Sequence, residues 1–304
     1  MTSESSATRS TAGVRSSENT QNAQRRRVFT RSRMTTLALS IFAFALATTF
    51  FLPFAWLISS SLKTEKQIFA TPPVWIPKPI VWSNYVEALT AAPFHLFFRN
   101  TIFLAFVTSI GVSLSSAVVA YGFSRIEWPG RDALFFVLLS TMMVPYQVTM
   151  VPLYVVFSKL GWVGTYLPLT VPYFFGSTFF IFLLRQFFRS IPMELTDAAR
   201  IDGCSELGIM RRIILPLARP AMAVVVLFNV LAIWGDFLEP LIYINKVKQF
   251  TLSLGLLHFQ GMVFTEWELL MAASAAITIP VVIVFFFAQR TFIEGITFTG
   301  LKGV

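Results

Sequence analysis

A chain of 304 residues with 55% hydrophobic side chains, 33 phenylalanines and only 13% charged residues carries far more apolar surface than a water-soluble domain of its size buries. Its net charge of +9 would suit a nucleic-acid partner, but the basic residues alternate between successive loops instead of forming one face, which excludes that class. A single cysteine, Cys204, leaves no internal disulfide and argues against a cysteine-based metal site; it reads as a small filler.

Residues 1–33 are rich in Ser, Thr, Asn, Gln and Arg and have almost nothing to bury, so they are expected to form a disordered basic tail. Arg25, Arg26, Arg27, Arg31 and Arg33 lie where they would meet anionic lipid headgroups. Residues 34–304 form the membrane domain. A bilayer-crossing helix needs about 20 apolar residues, and six runs qualify, roughly 37–62, 101–123, 133–157, 166–184, 217–242 and 270–288. The first run is longer than the 7–15 apolar residues typical of a signal peptide and is read as an uncleaved helix. The following connection, 63–99, is broken by Pro72, Pro73, Pro77 and Pro79, places Trp75 and Trp82 at an interface, and allows one short helix near 84–89. Pro145 and Pro152 should kink the third span. The fold class is all-α, a polytopic helical bundle.

With the N-terminus placed in the cytoplasm, 17 of the 24 Lys and Arg residues fall on the cytoplasmic side and seven opposite. That asymmetry obeys the positive-inside rule and puts both termini in the cytoplasm.

The loop at about 189–216 is polar in an otherwise oily chain. Pro192 suits a first helical turn, and Glu194 and Asp197 complement its positive dipole end. Gly203 supplies a helix stop, and Ser205 an N-cap for a second short helix with Glu206 in its first turn. Leu207, Met210 and Ile214 recur at three- and four-residue spacings and predict an apolar stripe. The expected unit is helix, glycine turn, helix, with small Ala198 and Ala199 permitting close approach of another protein.

The spacing Asp197-Ala198-Ala199, three residues, Gly203, nine residues, Ile213-Ile214-Leu215-Pro216 resembles the cytoplasmic coupling loop of ABC importer permeases. That pattern is Glu-Ala-Ala, three residues, Gly, nine residues, Ile-x-Leu-Pro, and only Asp197 departs from it. The resemblance covers nearly all of 36–304 and is to the carbohydrate subfamily, second-permease type, which carries maltose, other oligosaccharides and glycerol phosphate. Further residues that carry it are Asn100-Thr101, Ala120-Tyr121 with Arg125, Pro129-Gly130-Arg131 and Met142-Met143-Val144-Pro145. The family stretch Trp-Asn-Asp/Glu-Phe-Leu-x-Pro-Leu appears as Trp234-Gly235-Asp236-Phe237-Leu238-Glu239-Pro240-Leu241, with Gly235 replacing Asn and Glu239 standing where Trp is common.

The resemblance implies a type I importer fold of six transmembrane helices in a bacterial plasma membrane. It also implies a second permease subunit, an ATPase dimer that binds ATP and Mg, and an extracytoplasmic solute-binding protein. This chain then has no cofactor and no catalytic or metal site of its own. The ATPase-coupling residues would be Asp197, Ala198, Ala199, Arg200, Asp202, Gly203, Glu206, Leu207, Ile213, Leu215 and Pro216. Gly300, Lys302 and Gly303 in the C-terminal tail would also reach the ATPase.

Rival chemistry is poorly served. The run Gly295 to Gly300 approaches a phosphate loop, but Leu301 occupies the position that needs Lys. An ion-coupled secondary transporter is the alternative class, and it usually carries ionisable groups near mid-membrane; spans one, two, three and six have none in their interiors. Candidate residues of the solute path are Tyr146, Gln147, Asn229, Trp234, Asp236 and Phe237, whose amides and aromatic faces suit a sugar such as a disaccharide or short oligosaccharide. Asn229 and Gln147 equally suit hydrogen bonds between helices.

Overall fold

The computed structural model describes residues 35–261 and 264–300, the stretch 290–300 by its backbone path alone. The basic tail, Lys302 and Gly303 lie outside the described residues, and Gly300 ends the final helix. The chain divides into one unit up to Ser59 and a second from Ser60 onward.

The first unit holds helix α1 (Thr35–Ser61) up to Ser59, a helix long and apolar enough to cross a bilayer, and its last two residues belong to the second unit. The second opens with a single turn, α2 (Glu65–Ile68), and a surface helix, α3 (Ser83–Ala91). The Asn84 side-chain amide donates to the carbonyls of Ser61 and Lys63 at 3.0 and 2.8 Å, which satisfies the chain where it leaves α1.

Helix α4 (Phe94–Arg125) is the axis of this unit. Its 32 residues extend about 48 Å at 1.5 Å per residue, longer than the roughly 30 Å hydrocarbon layer. Its buried face is built from small residues, among them Ala105, Thr108, Ser109, Gly111, Ser113, Ser116, Ala117 and Ala120. Small side chains let helices approach closely where no hydrophobic effect drives them together.

Against α4 pack α8 (Thr178–Ser190) and α12 (Arg219–Gly235). Helix α5 (Arg131–Ser140), a 3-10 turn and α6 (Tyr146–Lys159) replace the single kinked third span expected from sequence: the two halves meet at 95°. Pro145 stands at that break with ψ 140°, and Val144 before it is extended, as a residue preceding proline must be. Pro152 sits inside α6 without ending it.

The fourth span runs through α7 (Leu167–Thr170) and a 3-10 segment, Val171–Phe175, before α8. Gly176, at φ +88°, makes the break between them, a conformation that only glycine adopts easily. Two serines of α4 satisfy the backbone opened there: Ser115 Oγ donates to the Tyr173 carbonyl at 3.1 Å, and Ser116 Oγ accepts from the Ser177 amide at 3.2 Å.

After α12 come α13 (Leu238–Tyr243) and a single turn, α14 (Leu252–Gly255), and the described chain closes with α15 (Trp267–Gly300). Asn100 and Thr101 hold this returning loop at the start of α4. The Asn100 amide donates to the carbonyls of Lys248 and Phe250, and Thr101 Oγ1 accepts from the Leu252 amide. Among the described residues the only extended pairing is one isolated bridge, Gln260 to Thr265, so the fold is all-α.

Large apolar side chains point outward along the bundle, including Phe136, Met143 and Phe175 at 71, 84 and 77% exposure. In water such a surface would aggregate; in hydrocarbon it is solvated.

Candidate functional site

The loop at 189–216 folds as helix, turn, helix. Helix α9 (Glu194–Ile201) begins two residues after Pro192, which lies just outside the first turn. At its other end Gly203 has φ +80°, the Gly203 amide donates to the Arg200 carbonyl at 3.0 Å, and the Cys204 amide donates to the Ala199 carbonyl at 2.9 Å. These are the two bonds of a Schellman C-cap, which needs a left-handed residue at the Gly203 position.

Ser205 then caps α10 (Glu206–Ile209), its hydroxyl accepting from the Gly208 amide. Met210–Ile214 continue as a π-helical turn, and α11 (Leu215–Leu217) carries Pro216. The helical segment Glu206–Leu217 meets α12 at 79°, so it departs sharply from the line of the span.

The buried side of this unit belongs to the same core as the spans. Ala199, Ile209, Met210 and Ile214 pack in one cluster with Ala120 and Tyr121 of α4 and Leu184 and Phe188 of α8. Ile213 and Leu215 are partly buried against that cluster. Of the expected apolar stripe, Met210 and Ile214 are buried with Ile209, whereas Leu207 is 60% exposed. Ile201, unremarked in the motif, projects at 86% exposure. Leu195, Ala198 and Ile201 recur at three-residue spacing and make an exposed apolar face along α9, bordered by exposed Asp202 and Gly203, while Leu207 stands exposed on α10.

Polar groups lock the unit to the end of α4. Glu206 is bridged by two donors, the Tyr121 hydroxyl at 2.6 Å and Arg200 Nε at 2.8 Å. Arg200 also pairs with Asp197 at 3.1 Å and donates to the Arg125 carbonyl at 3.2 Å. Its hydrogen bond holds the Glu206 carboxyl below the usual carboxylate range, and in return raises the Arg200 guanidinium.

Arg125 itself is 2% exposed. Its guanidinium donates to the carbonyls of Phe188 and Ile191 and reaches Thr196 Oγ1 at 3.4 Å. The α8 C-terminus, whose last carbonyls have no helical partner, is therefore closed by a side chain from α4. Arg185 repeats the device, donating to the Phe123 carbonyl and to Asp132 while lying 4.0 Å over the Phe135 ring. The sequence marked Tyr121 and Arg125 only as residues of a resembling stretch; nothing in their spacing shows that they meet the loop.

A second feature lies where three spans are interrupted. A cavity of about 310 Å³ is lined by Tyr146 just after the Pro145 break, Gly176 and Ser177 at the α8 break, and Glu239 and Tyr243 just beyond the end of α12. Phe157 and Tyr173 complete its aromatic wall. Irregular backbone at membrane depth is tolerated where it lines a cavity, and solute sites in membrane carriers gather at such helix breaks.

Of the six residues expected on the solute path, Tyr146 alone lines this cavity, its hydroxyl 3.4 Å from that of Tyr243. Asn229 is 1% exposed and its amide donates to Thr108 and Ser109 of α4 at 2.8 and 3.0 Å, so it bonds helix to helix. Trp234 donates its indole N–H to the Ile277 carbonyl, Asp236 accepts from the Glu239 amide at 3.3 Å, and Gln147 and Phe237 are exposed away from the cavity wall. Glu239 was missed as a lining residue, though it stands where the resembling stretch commonly has Trp.

Comparison with known proteins fits this geometry. Residues 109–297 match the family described as binding-protein-dependent transport system inner membrane component. The chain is 31% identical over 273 residues to the arabinooligosaccharides transport system permease protein AraQ of Bacillus subtilis, covering 88% of this chain and 96% of that one. It is 31% identical over 256 residues to the probable starch degradation products transport system permease protein AmyC of Thermoanaerobacterium thermosulfurigenes, covering 82% and 91%. Among solved structures, a bacterial ABC transporter that imports the acidic polysaccharide alginate superposes with a TM-score of 0.73 at 23% identity, over 85% of this chain and 96% of that one.

The chain belongs to the family of binding-protein-dependent transport system inner membrane components, and the helical bundle with its helix–turn–helix is a membrane subunit of a transporter. Within that family, the chain is a carbohydrate-type ABC importer permease, a multi-pass inner-membrane protein.

Proposed function

We propose that this permease, paired with a second permease subunit, conducts a disaccharide or short oligosaccharide delivered by an extracytoplasmic binding protein. ATP hydrolysis on a separate ATPase dimer, which holds the ATP and Mg, drives the transport through the 189–216 unit. The observation that carries this reading is the exposed apolar face of Leu195, Ala198 and Ile201, with Leu207 exposed on the next helix, on a unit whose buried residues share the core of the spans. An ATPase seated on that face would move a rigid body continuous with α4 and α8. The relatives named for arabinooligosaccharides and starch degradation products support a sugar cargo. The charge asymmetry supports cytoplasmic termini.

The test is uptake of a labelled trisaccharide into proteoliposomes holding the reconstituted complex. Uptake with ATP at the coupling-loop side and no ion gradient is expected. Uptake that persists without ATP and collapses with an uncoupler would overturn the reading in favour of an ion-coupled carrier.

A further inference from the structure

The cavity between the three chain breaks has an uneven chemistry that bears on which sugar units pass it. Its wall offers the rings and hydroxyls of Tyr146, Tyr173 and Tyr243, the ring of Phe157, the hydroxyl of Ser177, and one carboxylate, that of Glu239. No Lys or Arg lines it. The neighbouring carboxylate, Asp236, is engaged at the start of α13, where it accepts from the Glu239 amide. The Glu239 side chain receives no donor among the described residues. A half-buried carboxylate without a donor is poorly solvated, and a ligand rich in hydroxyl or amino groups supplies the missing donors. An anionic ligand does the opposite: it brings a second negative charge into a site that holds no cation to pair it.

Resting on the sugar reading above, we propose that Glu239 is a specificity-determining residue of this permease. Its carboxylate accepts hydrogen bonds from neutral or amino-bearing sugar units in the cavity, and it turns away uronate units. The aromatic faces stack on the apolar faces of the sugar ring while the carboxylate reads its donors, the usual division of labour in a small-molecule site. The volume of about 310 Å³ stands at the small end of the roughly 300–1,000 Å³ range of ligand sites, so a short segment of an oligosaccharide is held at a time.

The experiment uses the purified complex of both permeases and the ATPase without the binding protein, so that delivery does not mask the permease's own choice. Saturation-transfer NMR is recorded with three trisaccharide probes, maltotriose, the trimer of glucosamine and the trimer of galacturonic acid. The wild-type complex should transfer saturation to the first two and not to the third. Glu239→Gln keeps the shape and removes the charge; it should weaken the glucosamine trimer about tenfold, the loss expected for one charge-assisted hydrogen bond, and admit the galacturonate trimer.

Equal transfer to all three probes in the wild type overturns the proposal, as does a Glu239→Gln complex that assembles normally and keeps the wild-type pattern. In both cases the sugar reading stands. Absence of transfer to every trimer in the wild type removes the sugar reading together with this one.

Discussion

Gly203 isolates the contribution of backbone conformation to the docking unit. The residue sits at φ +80°, and a Cβ built on it would meet no atom within 4 Å. Substitution therefore adds no clash, and its cost is the left-handed backbone alone. That cost is about 1–2 kcal/mol for an L-residue and higher when the side chain is β-branched. One to two kcal/mol is a factor of about 5–30 in the fraction of molecules that keep the turn. Losing the turn releases the two Schellman bonds and uncouples the direction of α9 from that of α10. The spans do not depend on it and should insert normally. Gly203→Asn, which tolerates the left-handed region, should be mildest, Gly203→Ala intermediate and Gly203→Val worst. The assay is ATP hydrolysis stimulated by loaded binding protein in the reconstituted complex, with co-purification of the ATPase as the measure of docking. A Val variant as active as wild type, or an Asn variant as damaged as Val, would refute the argument that the left-handed turn aligns the two helices.

Tyr121→Phe removes one of the two donors to Glu206, and should lower stimulated hydrolysis several-fold while leaving membrane insertion unchanged by quantitative immunoblot. Because the Glu206 carboxyl is held below its usual range by Arg200, its contribution is complete above the ordinary carboxylate value of about 4.3 and is lost as pH falls through the lower folded value. Thermal unfolding of the complex should thus show an acid-side loss below about pH 4 that Glu206→Gln lacks. Arg125→Lys cannot span the carbonyls that the guanidinium fork satisfies, and leaves at least one buried acceptor unpaired at about 1–3 kcal/mol; a thermal midpoint equal to wild type would contradict that role. Cys204 is partly covered beside the turn, so an impermeant maleimide should miss it in intact cells and label it in inside-out vesicles stripped of ATPase, more slowly once ATPase is restored. Labelling from outside intact cells would reverse the orientation proposed for the chain.

What the sequence discloses and what it hides follow from the range of the interactions. The spans and the short α3 helix are legible because runs of apolar side chains and flanking prolines act within one element. The Gly203 stop and the Ser205 cap are legible for the same reason, since each is satisfied within a few residues. Asn229 is the opposite case. An amide inside an apolar run signals that a partner exists, but Thr108 and Ser109 lie about 120 residues away, and only the packing of α12 on α4 decides between a helix neighbour and a solute. Glu239 joins Tyr146 and Ser177 at one cavity through three separate chain breaks, and no local pattern brings those breaks together. Two prolines in the third span looked equivalent, yet Pro145 divides it and Pro152 does not.

The register of the docking unit shows how a local rule fails even at short range. A 3.6-residue period puts Leu207, Met210 and Ile214 on one apolar stripe. The chain instead winds Met210–Ile214 as a π-helical turn, in which the repeat widens toward five residues. Ile209 and Ile214, five apart, both become fully buried. Leu207 is released from the core and stands exposed on the same unit as Ile201. One short segment thus presents apolar residues in two directions, inward to the spans at Ile209, Met210 and Ile214 and outward at Leu207. An insertion or deletion within 210–214 that restored the α-helical period should bury Leu207 at the expense of Ile209 and weaken ATPase docking while the spans still assemble. Unchanged co-purification of the ATPase with such a variant would show that the wide turn is incidental to the docking face.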